Sequence, residues 1–504
     1  MQVLGKSAIV VGGGVGGLAA AIHLARAGVR VRLYERGPTL GGKLREITIS
    51  GRTFPGGPSV LTMRGVFEEL FGGASQMAER VALEPVDPLC RHFFADGSTL
   101  DLFTDEEQSR QAIARFAGEK EARAYLEFRR HAARIYDIVR GPFMERPVPS
   151  VLELMSPRAL LQLTQIDGMR TLWRAIESTF RDPRLQQLFG RYATYNGSSP
   201  FHAPATLAVI AHVENAYGIF ACKGGIYRLA EALAELAREL GVELATGQEI
   251  EEIACEPAFG EERAIGVRLP GGALERADVV VANCDVALLY ERLLARARPI
   301  PKLAGRYAQE ELSLSAYLWL AVAERAPIEL LHHNVFFSAD YRREFEALVE
   351  RRRPPEDPTV YLCADDRAFG SAAHPDGGER CFFLTNAPPL DPKGAAIDWP
   401  KEGARCRERI VRALARHHWN LQVRASEEVT PPDFAARFPS SRGALYGLAS
   451  NSKMAAFKRP PNRVTGISGL YLAGGTVHPG AGLPMVCLSA KMATQLALEE
   501  LHAR

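Results

Sequence analysis

The sequence predicts an α/β protein: a parallel sheet packed with helices, interrupted by a large inserted region of mixed α+β character. Three observations carry this expectation. A strand, a glycine turn and a helix follow one another at 7–28; a second strand, glycine turn and helix do so at 469–501; and between them 223–283 reads as a helix followed by strands.

The first unit opens on Ser7-Ala8-Ile9-Val10-Val11, an apolar, β-branched run of the kind buried on both faces of a parallel sheet. Gly12-Gly13-Gly14-Val15-Gly16-Gly17 follows at once and satisfies G-x-G-x-x-G. Leu18 to Ala27 then continues as a strong helix former stopped by Gly28. In this pattern Gly12 permits the tight turn and Gly14 lets backbone approach a pyrophosphate. Gly17 allows the helix to pack closely on the strand, and Gly16 sits at the helix N-terminus, whose free N–H groups and dipole face the phosphates. The next strand, Val29 to Tyr34, ends in Glu35, placed to grip a ribose diol, with Arg36 beside it. The unit is therefore a Rossmann-like dinucleotide site, and to this point NAD and FAD fit it equally.

After Glu35 comes Gly41-Gly42-Lys43, then Gly51-Arg52-Thr53-Phe54-Pro55-Gly56-Gly57-Pro58-Ser59-Val60. These segments resemble those that close over the dinucleotide and pass the isoalloxazine ring in the amine-oxidase and phytoene-desaturase superfamily. The resemblance implies FAD, with Gly42 and Lys43 near phosphate and Gly57, Pro58 and Ser59 along the ring. Glycine there is expected to leave room for a flat ring on backbone.

The middle segment has Lys223-Gly224-Gly225 leading into a helix from Ala230 to Leu240, capped by Gly241. Strands are expected over Gln248–Ile253 and Gly266–Leu269, with a turn at Pro270-Gly271-Gly272, and a buried run Ala277–Asn283 follows. The resemblance sets adenine against Ile250. Near the far end, Gly469–Ala473 reads as a strand and Val486–Leu501 as a helix with apolar positions three and four apart. The turn between them, Ala473-Gly474-Gly475-Thr476-Val477-His478-Pro479-Gly480-Ala481-Gly482-Leu483-Pro484-Met485, is similar to the closing flavin motif of bacterial carotenoid desaturases. It assigns Gly475, Thr476, Gly482 and Met485 to the cofactor. Many superfamily members carry an acid where Gly475 or Thr476 stands, and a hydroxyl or backbone N–H is expected to replace that contact. His478 reads as a residue that orders its turn rather than as a base.

The expected organisation is a discontinuous FAD-binding domain of 1–75, 225–300 and 460–504, with 76–224 and 301–459 forming a substrate-binding, membrane-facing domain. The stretch 76–224 reads as mostly helical. Within it, Phe189–Pro200 and Ala203–Glu214 resemble bacterial carotenoid desaturases closely. Gly57–Arg64, Phe67–Phe71 and Asp96–Phe103 look most like the hydroxyneurosporene desaturase branch, the 1-hydroxycarotenoid 3,4-desaturases.

The resemblance implies hydride loss from substrate to flavin N5, with no catalytic dyad required. Glu214 and His212 are weak candidates to take the second proton, and Tyr195, Asn196, His212 and Glu214 to bind the substrate's polar end. It also implies a lipophilic carotenoid, a peripheral membrane contact, and a quinone or oxygen as electron acceptor. Phytoene desaturase, carotenoid isomerase, amine oxidase and a non-enzymatic prenyl-binding protein of the GDP-dissociation-inhibitor type are the alternatives on the same fold.

Composition bounds the rest. Hydrophobic residues make up 47% and charged residues 24% of 504, ordinary for a folded chain. Lys plus Arg total 61 against 59 for Asp plus Glu, a net charge of +2 that gives no field for nucleic acid, and Arg351-Arg352-Arg353 reads as a solvated turn. Eight cysteines without a C-x-x-C pair fit neither a disulfide framework nor a zinc site, so a reducing cytoplasm is expected. No signal peptide and no spanning segment of about 18 apolar residues is recognised. Amphipathic stretches at 150–155 and 158–163 are candidates for docking on a bilayer. No metal is expected at His332-His333 or His417-His418, because neighbouring histidines in a strand or helix point apart.

Overall fold

The computed structural model describes all residues except 1–2, 148–164, 259, 370–376, 392–395 and 453–454. Its first sheet has five parallel strands in the order Leu470–Leu472, Val279–Ala282, Ser7–Val11, Arg30–Glu35 and Glu243–Thr246. These strands come from the start, middle and end of the chain, the three segments in which glycine turns and buried runs were expected. Alternation along Ser7–Val11 explains the layers. Ala8 and Val10 face a core shared with the helix Val15–Arg26 (α1) and the late helix Leu483–His502 (α2), whereas Ile9 and Val11 face a separate core with Ile253, Val267 and Leu470.

The second face is covered by a small antiparallel sheet together with the helical stretches Val286–Leu288, Leu289–Leu293 and Ile300–Ala308. Glu252–Ala258 pairs antiparallel with Glu261–Arg268, which also pairs with Leu274–Arg276. The expected strand Gln248–Ile253 therefore starts later, and Pro270–Gly272 joins the second pair. Residues 248–250 stay outside the ladder, so Ile250 is free to border the groove.

A second sheet of seven strands roofs the groove, in the order Val423–Val429, Ser315–Glu324, Gly378–Ala387, Val360–Cys363, His333–Phe336, Cys90–Phe93 and Thr99–Leu102. Region 76–224 is mostly helical as expected, with helices such as Glu119–Val139 and Val209–Tyr217, but it also lends two strands to this sheet. Both amphipathic stretches lie outside the described residues. Among the described residues, no helix is long and apolar enough to cross a membrane.

Candidate active site and cofactor groove

A cavity of about 910 Å³ runs from the first glycine turn to the second sheet. Gly12, Gly14, Gly16, Glu35, Arg36, Gly42, Lys43, Gly57, Pro58, Ser59, Ile250, Gly475, Thr476, Gly482 and Tyr195 all line it. Gly17, Met485, Asn196, His212 and Glu214 do not.

The phosphate end is built from close backbone approaches. Gly12 has φ +103° and donates to the Tyr34 carbonyl at 2.8 Å, turning the chain sharply into α1. A Cβ on Gly17 would fall 2.0 Å from the Gly12 carbonyl oxygen, so Gly17 serves the packing beneath the turn rather than the ligand. Asn283 is the residue that sequence reasoning missed. Its Nδ2 donates to the Ala473 carbonyl at 2.9 Å, and its side chain lies 2.6 Å from where a Cβ on Gly16 would stand. It thereby binds the first glycine turn to the end of the last strand. The only signal in the sequence was a polar residue closing the buried run Ala277–Asn283.

Glu35, expected to grip the ribose diol, is held by backbone. Oε2 accepts from the Gly13 amide and Oε1 from the Gly37 amide, each at 2.7 Å, which fixes the carboxylate and leaves further lone pairs toward the groove. Arg36 is exposed and donates to the Arg437 carbonyl at 2.6 Å. Lys43, expected beside phosphate, donates instead to the Leu445 carbonyl and lies 5.4 Å from the Phe438 ring centroid. Burial holds its ammonium below the usual lysine range. The reason for glycine at 57 also differs from expectation. A Cβ there would meet the Lys43 carbonyl oxygen at 2.0 Å, so backbone, not an open ring face, excludes a side chain.

At the closing turn, the Thr476 hydroxyl accepts from the Val286 amide at 3.2 Å, and buried Arg459 donates to the Gly475 and Tyr446 carbonyls. The hydroxyl expected to replace a missing acid is therefore engaged with the protein. His478 is fully buried off the cavity, bonded through Nε2 to the Arg146 carbonyl at 2.9 Å and edge-on to Phe143, as a turn-ordering residue should be. Met485 packs instead against the cluster of Met63, Tyr136 and Met144.

Beyond Ser59 the cavity passes Val60, Ala316, Leu318 and Leu384, with a polar strip of Arg191, Tyr195, Tyr341, Thr359 and Tyr361. The Tyr361 hydroxyl bridges Ser59 Oγ at 2.9 Å and His333 Nδ1 at 2.8 Å. Glu214 is buried behind Tyr195, which donates to it at 3.3 Å, and burial raises its carboxyl above the usual range. Asn196 is occupied by Ser450 and Arg459. His212 lies tilted against Tyr136 with ring centroids 4.8 Å apart, outside the cavity. Of the four substrate-binding candidates, only Tyr195 reaches the cavity, because the 3-10 turn Arg191–Asn196 aims Tyr195 inward and Asn196 toward the closing turn.

His332 and His333 do not point apart. His332 precedes the strand His333–Phe336, and the two rings come within 4.2 Å, with Cys363 beside them. Their contacts are internal: His333 to Tyr361, and Cys363 to Asp365 at 3.4 Å.

Residues 15–498 match the family of flavin containing amine oxidoreductases. The chain belongs to that family. The oxidoreductase is 40% identical to hydroxyneurosporene desaturase of Rubrivivax gelatinosus, over 98% of this chain and 94% of that one. It is 40% identical to hydroxyneurosporene desaturase of Cereibacter sphaeroides over the whole of both chains. It is 34% identical to 4,4'-diapolycopene oxygenase of Methylomonas over 98% of each. Two solved structures share its fold: an oxidoreductase from Methanosarcina mazei (TM-score 0.62, 17% identity, covering 97% of this chain and all of that one) and putrescine oxidase bound to putrescine (TM-score 0.61, 15%, covering 99% of each). The oxidoreductase uses FAD, and the groove fits it. Glycine backbone lines the turn at the N-terminus of α1, where a pyrophosphate is expected, Glu35 is fixed on the cavity where a diol is expected, and Ile250 lines the part of it expected to take adenine.

Proposed function

We propose that this oxidoreductase desaturates acyclic carotenoids, forming the 3,4 double bond of a 1-hydroxycarotenoid. The observation that carries the reading is 40% identity to hydroxyneurosporene desaturases along the whole chain. The cavity supports it, since the groove continues past Ser59 into a wall of Val60, Ala316, Leu318 and Leu384 able to bury a hydrocarbon at about 25 cal/mol per Å².

An allylic C–H is far too weak an acid for a side-chain base to begin the reaction. When bound, FAD supplies the hydride acceptor at N5. The protein's own part is to hold, orient and dry the reacting carbons: Glu35 anchors one end of the cofactor, Ser59 is fixed by Tyr361, and the apolar wall excludes water. Positive charge left on a conjugated chain is delocalised, so the second hydrogen leaves readily as a proton. Glu214 and His212, which do not line the cavity, are poorly placed to receive it.

The electrons pass onward to a quinone or oxygen. A substrate this apolar resides in the bilayer, so the enzyme works at the cytoplasmic membrane surface as a peripheral protein. Incubation of the purified holoenzyme with 1-hydroxyneurosporene and with phytoene, followed by mass analysis, tests the reading. Loss of about two mass units from the hydroxylated substrate alone is expected. Turnover of phytoene alone would assign a phytoene desaturase, and conversion without mass change an isomerase.

A further inference from the structure

Arg191 is a buried cation bordering a cavity meant for hydrocarbon. Its guanidinium has five N–H donors. Among the described residues one is bonded, to Tyr195 Oη at 3.2 Å, and the group lies 5.1 Å from that ring centroid. Tyr341 reaches the same cavity from the helix Tyr341–Phe345, and its buried hydroxyl has no hydrogen-bond partner among the described residues. The neighbouring hydroxyls are engaged, Tyr361 with Ser59 and His333, and Thr359 with Glu344 at 2.7 Å. Arg191 and Tyr341 thus both bring unbonded donors to this part of the cavity, and the Ser315 hydroxyl, also unpartnered among the described residues, is a further one on its wall.

Buried donors are normally paired, and a plain polyene offers them no acceptor. We infer that Arg191 and Tyr341 seat the terminal hydroxyl oxygen of the substrate and so decide which carotenoids are accepted. This rests on the reading above that the substrate is a terminal alcohol. The seat is where such an alcohol requires it. A hydroxyl on C1 stands only two carbons from C3, so its partners must adjoin the residues that flank the flavin; Tyr361, on the same strip of wall, is bonded to Ser59. The acid Glu214, joined to Arg191 through the Tyr195 hydroxyl, already holds the carboxyl position on this hydrogen-bond chain, which leaves the remaining Arg191 donors for a neutral oxygen. A site built around a hydroxyl rejects the analogue lacking it far more strongly than an apolar wall rejects the hydroxyl.

The test is equilibrium binding of 1-hydroxyneurosporene and neurosporene, in detergent micelles, to purified holoenzyme, read from the carotenoid absorbance shift. Wild type, Tyr341→Phe and Arg191→Lys are compared, with flavin content and melting temperature as checks on folding. We expect wild type to prefer the hydroxylated carotenoid by about tenfold or more. Both variants should lower that ratio several-fold, Tyr341→Phe through loss of a donor and Arg191→Lys through loss of the guanidinium fork. Should Arg191→Lys not fold, Tyr341→Phe decides alone. A wild-type preference that survives both substitutions overturns the seat but leaves the proposed substrate standing. Equal binding by wild type overturns the alcohol reading and the seat together. Linoleate binding more tightly than either carotenoid, and weakening in Arg191→Lys, overturns the seat in favour of a carboxylate site.

Discussion

At Glu35 two backbone amides hold the carboxylate, so the geometry it offers to the cavity is set in advance. Replacing Glu35 by Ala removes the diol contact and leaves the Gly13 and Gly37 amides unanswered. FAD affinity should fall by about tenfold or more, since hydrogen bonds to charged groups contribute about 1.5–3 kcal/mol, while the fold persists. The ratio of flavin to protein absorbance after purification measures this, and an unchanged ratio would remove Glu35 from the cofactor site. Glu344 gives a second residue-level expectation. Burial pushes its carboxyl up to about 7, although the Ser338 and Thr359 hydroxyls donate to it. A carboxyl protonated in the fold but ionised in the unfolded chain stabilises the unfolded state as pH rises. Stability should therefore drop between about pH 4.5 and 7, by at most about 1.4 kcal/mol per pH unit. Glu344→Gln keeps an acceptor and cannot ionise, so its melting temperature should lack that decline. Identical pH profiles for the two proteins would contradict it.

Among elements, the junction of the last strand, the closing turn and α2 hangs on Asn462, buried and donating to the Leu472 and His478 carbonyls and the Ser489 hydroxyl. Asn462→Ala strips those acceptors of a donor at once and should cost about 2–4 kcal/mol, read as a lower urea midpoint with unchanged slope. Gly57→Ala should be as damaging, because its methyl would strike the Lys43 backbone, which cannot yield as a side chain could. These contacts show where sequence reading reaches its limit. The first sheet was legible because Ser7–Val11 and Leu470–Leu472 are short apolar runs next to glycine turns and Val279–Ala282 is an unbroken apolar run, and the position of Glu35 on the cavity because it closes a strand at a fixed spacing from the glycines. The seven-stranded sheet was not. Val423–Val429 is charged and mostly exposed, and Cys90–Phe93 pairs with His333–Phe336 across a long stretch of chain. Asn283, Tyr361 and Arg191 gain their roles only when such distant pieces meet. His332 and His333 were misread for want of one boundary, the start of their strand.

For the whole molecule, removing 150–175 should reduce cosedimentation of the enzyme with liposomes; unchanged sedimentation would contradict bilayer docking by this stretch. The cofactor groove has a different dependence on the complete chain. Val279–Ala282 is flanked by Ser7–Val11 on one side and Leu470–Leu472 on the other, and Asn283 fastens the first glycine turn to Ala473. On a ribosome the glycine turn emerges long before its fastening point. The nascent polypeptide must therefore carry an unfinished nucleotide site through that whole interval of synthesis, and flavin capture waits on the arrival of the last strand.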